Sequence, residues 1–507
     1  MASTIVVETQ HGRVEGEVRD THCAFRGIPF AKPPVGALRF RAPEPPEPWS
    51  GVRSARTFGA SPPQGGEFAP GVLAEGPLSE DCLYLNVYTP AADGQKRAVL
   101  FFIHGGAFTV GSASSPLYSG ARLAEQHDVV VVTINYRLGA LGYMSFGEAG
   151  ERWGAADNRG QLDQLMALRW VRDNIERFGG AADKVTIFGE SAGAVAVGLL
   201  LATPSARGLF ARAICQSSAG SLDLATAQQA SRTTDAYLRA LDLRAEHVER
   251  LLELPTAALM KAQAMVESDI AGWPHFYPTA DSLFGGQPRQ TLSEGRGNAV
   301  PLIIGTNRDE WNLFALAGLS EWNKPLEEVE LHARLRSKLP TSAAAAAEGL
   351  VDAYRSSRKE KGLPSGNRAL LRAIEGDLRF RIPSLRFAEL YQTLTPDTFV
   401  YLFTYASPGL GGLLGACHGL DLPFVFGTFD GPRQEQFAGQ GEAVAKLSRT
   451  MTETWTAFAK RGEPASARVP SWPRYQLEQR ATVEFDTDTR LVDDSFGAER
   501  RAWDGVI

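Results

Sequence analysis

The sequence predicts an α/β fold in which a central, mostly parallel sheet carries helices on both faces. Two observations predict it: strand-length apolar runs ending in glycine-rich turns recur along the chain, and amphipathic helical segments lie between them. The runs are almost continuously apolar, as in parallel strands that are buried on both faces. They cover Ala98–Ile103, Val129–Asn135, Val185–Phe188 and Val300–Ile304.

The remaining elements follow from spacing. Gln161–Arg177 repeats apolar residues at helical intervals, and Met1–Val18 alternates polar and apolar positions, which predicts a strand and not a secretion signal. This strand and helix order predicts a single catalytic domain over residues 1–507. Two charged stretches without a chemical motif interrupt it. We expect residues 222–298 and 315–395 to be helical insertions that form a cap above the sheet.

Composition excludes several classes of partner. The 507 residues are 44% hydrophobic and 22% charged, with a formal net charge of −6, which is ordinary for a globular enzyme. The basic patch Arg355–Lys361 is short, so nucleic acid is not expected. No window reaches the roughly 20 apolar residues of a membrane span. The four cysteines have no metal-binding spacing and are too few for a disulfide framework, which favours reduced thiols in a cytoplasm.

The strongest chemical signal is the pentapeptide Gly-Glu-Ser-Ala-Gly at residues 189–193, between a short apolar strand and an apolar helix. In that context Gly-x-Ser-x-Gly is the nucleophile elbow of the α/β-hydrolase fold, and Ser191 is the candidate nucleophile. Glycines are needed because larger side chains in so sharp a turn would collide with the neighbouring strand or helix. A chance pattern in a glycine-rich loop is the alternative, and the flanking elements argue against it.

A serine hydroxyl attacks an ester only with a base, an orienting acid and donors for the oxyanion. The loop His104–Phe108 follows a strand, and its glycines predict an oxyanion hole made by the N–H groups of Gly105, Gly106 and Ala192. His104 precedes the nucleophile, whereas the base comes last in this fold, so we interpret it as structural.

Chain order in this fold is serine, acid, histidine, and four histidines follow the nucleophile: His247, His275, His332 and His418. His418 is favoured because it follows a strand and a glycine-rich loop, whereas two of the others lie in charged helical sequence and His275 in an aromatic segment. For the acid, Asp309 and Glu310 both follow a strand. Residue types alone do not decide between these two neighbours.

Further motifs resemble the type-B carboxylesterase and cholinesterase family, and bacterial p-nitrobenzyl esterases in particular. They occur in the family's order along nearly the whole chain and comprise Phe25–Phe30, Pro33–Gly36, Glu80–Val87, His104–Phe108, Asn135–Gly139, Phe188–Gly193, Asp309–Glu310, His418, Asp421 and Phe424–Gly427.

The resemblance implies a triad of Ser191, Glu310 and His418 that hydrolyses short to medium acyl or aromatic esters through an acyl-enzyme. This chemistry needs no metal or organic cofactor, and the expected partner is a small-molecule ester. We expect a monomer or a weak homodimer, without nucleic acid or membrane.

The sequence also departs from the family. Trp311 stands where a glycine usually follows the acid, which is expected to reshape the wall near His418. Ser61–Pro63 replaces the cysteine that pairs with the counterpart of Cys82 in secreted members, so that disulfide is not expected. Candidates for support of the triad or for pocket walls, several of which fit a purely structural role equally well, are Ser218, Phe108, Glu190, Trp311, Phe314 and Phe276.

Two rival functions stay open at this point. A catalytically silent binding module normally lacks the serine, and a lipase needs a lid that opens on lipid surfaces. The natural substrate is also open among short acyl, aromatic, carbamate and tertiary-alcohol esters. The last class is included because the loop Gly105–Ala107 resembles those of enzymes that accept such esters.

Overall fold

The computed structural model describes residues 3–65, 76–147, 150, 154–218, 222–269, 275–280, 283–284, 286–316, 324–432 and 434–507. Within these residues thirteen strands form one sheet. Their bounds are β1 Ser3–Thr9, β2 Gly12–Val18, β3 Cys23–Pro29, β4 Val52–Ser54, β5 Tyr84–Thr89, β6 Arg97–Ile103, β7 Val130–Ile134, β8 Gly180–Glu190, β9 Arg212–Gln216, β10 Leu302–Asn307, β11 Thr398–Phe403, β12 Ala481–Phe485 and β13 Arg490–Asp493.

The sheet is parallel in its centre and mostly antiparallel at its edges. The strand order is β1-β2-β3-β5-β7-β6-β8-β9-β10-β11-β12-β13, with β4 beside β2. From β7 to β12 every neighbouring pair is parallel. At one edge, β1, β2, β3 and β5 each pair antiparallel with the next strand of this order. At the other edge, β13 pairs antiparallel with β12. The mostly parallel sheet that the apolar runs predicted is therefore confirmed.

Helices cover both faces of the sheet. The described helices have the bounds Ala121–His127, Gly139–Tyr143, Arg159–Asn174, Ala192–Ala202, Ala227–Ala240, Thr256–Asp269, Pro288–Ser293, Trp311–Phe314, Glu328–Lys338, Ala347–Glu360, Asn367–Gly376, Ile382–Tyr391, Leu422–Val425, Glu435–Ala438, Glu442–Arg461 and Gly497–Arg501.

Neighbouring side chains of a central strand enter different apolar cores. On β6, Val99 belongs to the core that contains the helices Arg159–Asn174 and Ala192–Ala202, whereas Leu100 belongs to the core that contains Glu442–Arg461. Both faces of the strand are therefore buried in apolar cores. This explains why the strand sequences are almost continuously apolar and do not alternate.

Two elements differ in extent from their predictions. The helix predicted over Gln161–Arg177 is α-helical only to Asn174 and continues as a 3₁₀ turn, because Gly179, with φ 82°, ends it in the left-handed conformation. The predicted amino-terminal strand is two strands, β1 and β2, which pair antiparallel around a tight turn. A turn of so few residues leaves the polar and apolar alternation almost unbroken.

The two ranges expected to be insertions contain several helices among their described residues. Residues 222–298 include the helices Ala227–Ala240, Thr256–Asp269 and Pro288–Ser293, and residues 270–274, 281–282 and 285 of this range lie outside the described residues. Residues 315–395 include four helices, the first of which begins at Glu328. Residues 317–323 of this range lie outside the described residues.

The second of these ranges has an apolar core of its own. This core includes Leu331, Tyr354 and Ile374, together with Trp503 near the end of the chain. A π-helical turn, Asp377–Arg381, joins the last two helices of the range. The second range is thus packed as a unit and is also attached to the last helix of the chain.

Candidate active site

The predicted nucleophile lies at a sharp turn between a strand and a helix. β8 ends at Glu190 and the next helix begins at Ala192, so Ser191 joins them directly. Its backbone has φ 57° and ψ −124°, a conformation that costs roughly 1–3 kcal/mol and that the surroundings must hold. The N–H of Ser191 donates to the carbonyl of Gln216 at 2.9 Å, and its own carbonyl accepts from Val195 N–H at 3.0 Å. These two bonds hold the strained residue from both sides.

The glycines on either side of Ser191 occupy positions where a side chain would not fit. A Cβ atom on Gly189 would lie 2.5 Å from the backbone of Gly193. A Cβ atom on Gly193 would lie 2.0 Å from the carbonyl oxygen of Ile103 on β6. Both contacts are with backbone, which cannot rotate away. Glycine is therefore required by the packing of the elbow against the sheet.

A buried acid faces the predicted base. Nδ1 of His418 lies 2.6 Å from Oε2 of Glu310, and both side chains are buried. Asp309, the other carboxylate that chain order allowed, instead pairs with Arg308 at 2.8 Å and with Arg358 at 3.3 Å. Adjacent residues in this turn point in different directions, so the structure brings only Glu310 to the imidazole.

The other candidate histidines have different surroundings. The side chain of His247 is 48% exposed, and His332 lies 3.7 Å from Glu328 on its own helix. His275 is partly buried, and its carbonyl accepts a hydrogen bond from Thr233. Of the four histidines that follow the nucleophile, only His418 contacts a carboxylate of the strand-end turn 308–310.

Glu190 places a second carboxyl group beside the imidazole. Its Oε1 lies 3.0 Å from Nε2 of His418, without the angles of a hydrogen bond. Burial raises the pKa of Glu190 to about 8, although the nearby His418 opposes this shift. Burial by itself would lower the pKa of His418, but Glu190 and Glu310 outweigh it and raise that pKa to about 9. The imidazole of His418 and the carboxyl group of Glu190 therefore influence each other's protonation.

Ser191 and His418 are not hydrogen-bonded to each other in the structure. Among the described residues, no hydrogen bond joins Ser191 Oγ to His418. Nε2, the ring nitrogen that would take the serine proton, instead faces Glu190. Catalytic hydrogen bonds of substrate-free enzymes are commonly long and tighten only when substrate binds.

The loop after β6 packs on the nucleophile. A Cβ atom on Gly105 would lie 3.0 Å from Cβ of Ser191 and 2.7 Å from the carbonyl oxygen of Glu190, so only glycine permits this approach. Gly106 has φ 108°, which also favours glycine. Of the predicted oxyanion donors, Gly105 thus contacts Ser191, Gly106 follows it, and Ala192 begins the helix after the serine.

His104 has a structural environment. It is fully buried, its Nδ1 donates to the carbonyl of Gly105 at 2.8 Å, and its ring stacks on Tyr136 at 4.5 Å between centroids. Burial lowers the pKa of His104 to about 4, so the ring is neutral at pH 7. A neutral ring that shapes the oxyanion loop agrees with the interpretation drawn from chain order.

Aromatic rings surround the base. The rings of Phe314 and Phe380 lie 5.0 Å and 4.7 Å from the imidazole of His418. Trp311 packs on Phe314 at 4.9 Å, and the guanidinium of Arg379 lies 4.7 Å from the Trp311 ring. Phe380 was not predicted, because it lies in the π-helical turn of a stretch without a chemical motif. Only tertiary packing reveals its contact with the base.

The remaining aromatic candidates belong to the apolar core. Phe108 is 1% exposed and packs against Tyr143 and Tyr277, at 4.8 Å and 5.3 Å between centroids. Phe276 is fully buried and lies 6.1 Å from the ring of Tyr237. Phe108 is the last residue of the loop His104–Phe108, whereas the aromatic contact of Phe276 is with a core tyrosine.

Ser218 follows β9 and is buried. Its carbonyl accepts a hydrogen bond from Ser384 Oγ at 2.8 Å. Within the described part of the chain, its side chain makes no hydrogen bond to Glu310 or His418. The contact that it does make is the one expected of a structural residue at a strand end.

Other groups with metal or redox chemistry are few. All four cysteines lie in the described residues, and each is buried and not disulfide-bonded. Across the described ranges, no group of three or more histidine, cysteine or acidic side chains is arranged to hold a metal ion. In the same ranges, no helix is both long and apolar enough to cross a bilayer.

A serine on a strained strand-to-helix turn, beside a buried acid–histidine pair on a mostly parallel sheet, defines the α/β-hydrolase class. Comparison with known proteins agrees. The sequence model of the carboxylesterase family matches residues 3–503. The chain is 36% identical over 501 residues to the para-nitrobenzyl esterase of Bacillus subtilis strain 168, covering 98% of each sequence. It is 33% identical over 497 residues to the phenmedipham hydrolase of Pseudarthrobacter oxydans, covering 95% of each.

Solved structures give the same result. A carboxylesterase of Geobacillus stearothermophilus superposes with a TM-score of 0.85 at 40% identity, covering 98% of this chain and 99% of that one. The chain therefore belongs to the carboxylesterase family and is a carboxylic ester hydrolase with the α/β-hydrolase fold. The family and the enzyme class that the motifs predicted are confirmed.

Proposed function

We propose that the protein hydrolyses esters by two-step acyl transfer, with Ser191 as nucleophile, His418 as general base and Glu310 as the acid that orients the base. The contact between Glu310 and Nδ1 of His418 carries the proposal. Because the acid occupies Nδ1, the imidazole has Nε2 left to take the serine proton.

In the first half-reaction Ser191 Oγ attacks the ester carbonyl carbon while Nε2 of His418 takes its proton. The carbonyl oxygen becomes an oxyanion, which the N–H groups of Gly105, Gly106 and Ala192 stabilise. The tetrahedral intermediate collapses, the bond to the alcohol oxygen breaks, and the imidazolium returns its proton to the leaving alcohol. The acyl group stays on the serine.

In the second half-reaction water attacks the acyl carbon, and His418 takes one of its protons. Collapse of the second intermediate breaks the bond to Ser191 Oγ, which regains a proton from the imidazolium. The carboxylic acid leaves and the site is restored. No metal or organic cofactor enters this cycle.

The substrate class we propose is short to medium acyl or aromatic esters. The rings of Phe314 and Phe380 beside His418 support it, because they offer an apolar and aromatic surface next to the reacting atoms. We infer that residues 222–298 and 315–395 form the cap over this site; the contact of Phe380 with His418 supports this for the second range. Rates across a series of acyl lengths and alcohol sizes test the class.

The proposed setting is a reducing compartment such as the cytoplasm, with a monomer or weak homodimer as the working form. Four buried cysteines without disulfides support the reducing setting. Sedimentation across a range of protein concentrations tests the oligomeric state.

Replacement of the nucleophile tests the mechanism directly. Ser191→Ala is expected to lower kcat on p-nitrophenyl acetate by roughly 10⁴–10⁶-fold, because the hydroxyl that carries the acyl group is gone. The fold should persist, as circular dichroism can show. Ser448→Ala is the matched control: it removes a buried serine that donates to Phe424 O at 3.1 Å, and it should keep wild-type turnover.

Covalent labelling identifies the nucleophile independently of turnover. An organophosphate should add one group to the wild-type chain, on the peptide that contains Ser191, and none to Ser191→Ala. Undiminished hydrolysis by Ser191→Ala, or a label on another residue, would contradict the proposed mechanism.

A further inference from the structure

Asn307, the last residue of β10, contacts both the acid and the loop that carries the base. Its backbone N–H donates to Oε1 of Glu310 at 2.7 Å, which leaves Oε2 for His418. Its side-chain Nδ2 donates to the carbonyl of Cys417, also at 2.7 Å. Cys417 directly precedes His418. One buried asparagine therefore holds the acid with its backbone and the base's loop with its side chain.

The orientation of this amide is fixed by its neighbours. Nδ2 faces the carbonyl of Cys417 and, at 3.4 Å, Oδ1 of Asp421, and both of these groups accept hydrogen bonds. The reverse orientation would set oxygen against oxygen. The consequence is that Oδ1 of Asn307 is buried without a hydrogen-bond partner among the described residues. A buried polar atom left unpaired lowers stability.

Asp421 extends the contact to the nucleophile's side of the site. Besides Asn307, it accepts from Gln216 Nε2 at 2.7 Å and from Tyr401 OH at 3.0 Å. Gln216 ends β9, and its backbone carbonyl accepts the N–H of Ser191. The hydrogen-bonded chain of Asn307, Asp421 and Gln216 thus joins the ends of β9 and β10 to the loop of the base.

The loop that carries the base is held at several points, among them the carbonyls of Leu413 and Leu414, which accept hydrogen bonds from Asn312 Nδ2 at 3.3 Å and 3.0 Å. It is glycine-rich from Gly409 to Gly415, and Leu410 within it is 54% exposed. Two hydrogen bonds join Asp309 to Ala416. The N–H of Asp309 donates to the carbonyl of Ala416 at 2.9 Å, and the N–H of Ala416 donates to Oδ2 of Asp309 at 3.0 Å. The amide of Asn307 binds the next residue along the chain, Cys417, whose carbonyl also accepts the N–H of Leu420 at 3.2 Å.

We propose that Asn307 is a positioning residue that sets the imidazole of His418 against Glu310 and Ser191 for the proton transfers. The inference rests on the proposed function, since it acts through the triad. It does not require Asn307 to touch the substrate. Its removal should therefore change the chemical steps and leave substrate affinity nearly intact.

Asn307→Ala tests this. The backbone bond to Glu310 remains, while the side-chain bond to Cys417 is lost and the loop of His418 is held less firmly. We expect kcat on p-nitrophenyl acetate to fall roughly 10–100-fold, because displacements of about 1 Å in a catalytic group have effects of this size. KM should stay within about twofold. The rate of organophosphate labelling of Ser191, which also needs the base, should fall in parallel.

Asn298→Ala is the matched control. Asn298 is also buried, donates through Nδ2 to the carbonyls of Leu200 and Thr203 at 3.0 Å each, and also has an unpaired Oδ1 among the described residues. It precedes the opposite end of β10. Its loss should therefore lower thermal stability as much as Asn307→Ala does, but leave kcat unchanged.

Wild-type kcat in a folded Asn307→Ala variant, or an equal fall in kcat in Asn298→Ala, would overturn the proposal. If Asn307→Ala does not fold, Asn307→Asp keeps the side-chain shape but offers an ionisable acceptor in place of the donor, and it should lose at least as much kcat at pH 8. Failure of the proposed function is recognised separately, because Ser191→Ala would then remain active.

Discussion

At the scale of single residues, the imidazole of His418 lies between two carboxyl groups with different surroundings. Glu310 contacts Nδ1 at 2.6 Å and accepts a backbone N–H on its other oxygen, so its orientation is fixed. Glu190 approaches Nε2 at 3.0 Å and has no hydrogen bond on that oxygen among the described residues. In the proposed mechanism the first therefore orients the imidazole, whereas the second acts on it mainly through charge.

Removing that second charge should change the pH dependence of turnover. Against the effect of burial, Glu190 raises the pKa of His418, so Glu190→Gln is expected to lower it. The base works only when neutral, and a lower pKa keeps it neutral in more acidic solution. The acidic limb of the kcat/KM profile should therefore move to lower pH, by about one pH unit or more. Steady-state rates from pH 5 to 10 provide the measurement.

A suitable control for this shift is Glu442→Gln, since the side chain of Glu442 is 84% exposed and lies on another helix. Its profile should overlay that of the wild type. A Glu190→Gln profile with an unmoved or a more alkaline acidic limb would show that Glu190 does not raise the pKa of the base.

At the scale of elements, the elbow depends on the close approach of a helix to β6. Gly193→Ala would place a Cβ atom 2.0 Å from the carbonyl oxygen of Ile103, so either the helix or the strand must move. We expect a loss of about 1–3 kcal/mol in the free energy of unfolding, as for overpacked cores, together with a large loss of kcat. Urea unfolding and p-nitrophenyl acetate turnover measure the two effects.

Gly349→Ala is the control for the substitution itself. Gly349 lies in the helix Ala347–Glu360 with open space where the methyl group of an alanine would point, and alanine favours the helix by up to about 1 kcal/mol. Its stability should be equal to or above that of the wild type. Equal stabilities for the two alanine variants would mean that the elbow tolerates a side chain at residue 193.

Elements differ in how far the sequence predicts them. The central strands were predictable because their burial on both faces leaves continuous apolar runs, and the elbow was predictable because its steric demand selects glycine at fixed positions. Residue types alone did not decide between Asp309 and Glu310, since the choice depends on which neighbour turns toward His418, and only the family resemblance pointed to Glu310. The roles of Phe380 and Asn307 also escaped prediction, because each contacts a residue distant in sequence and neither contact leaves a local pattern.

At the scale of the whole molecule, the last helix region packs against the second proposed insertion, residues 315–395. Trp503 is fully buried in that insertion's core, and its Nε1 donates to the hydroxyl of Tyr354 at 2.7 Å. Tyr354 in turn donates to Asp377, which begins the π-helical turn that contains Phe380. Trp503 is thus connected to a ring that contacts the histidine of the proposed triad.

Trp503→Ala should therefore weaken both the insertion and the site. We expect a loss of about 3–5 kcal/mol in stability, as for other buried tryptophans, and faster amide hydrogen exchange over Asn367–Tyr391. Val329→Ala, at a valine 81% exposed on the same insertion, should change neither quantity. Unchanged exchange in Trp503→Ala would show that the tryptophan does not support the insertion.

The groups proposed to act on the ester follow parallel strands that are far apart in sequence: Ser191 follows β8, Glu310 follows β10 and His418 follows β11. Parallel pairing of distant segments is slow to form, because a long connection must close before any contact is gained. Recovery of turnover after dilution from denaturant should accordingly lag behind recovery of helical circular dichroism. The return of ester hydrolysis would then report the last long-range steps of folding, which spectroscopic signals of local structure do not detect.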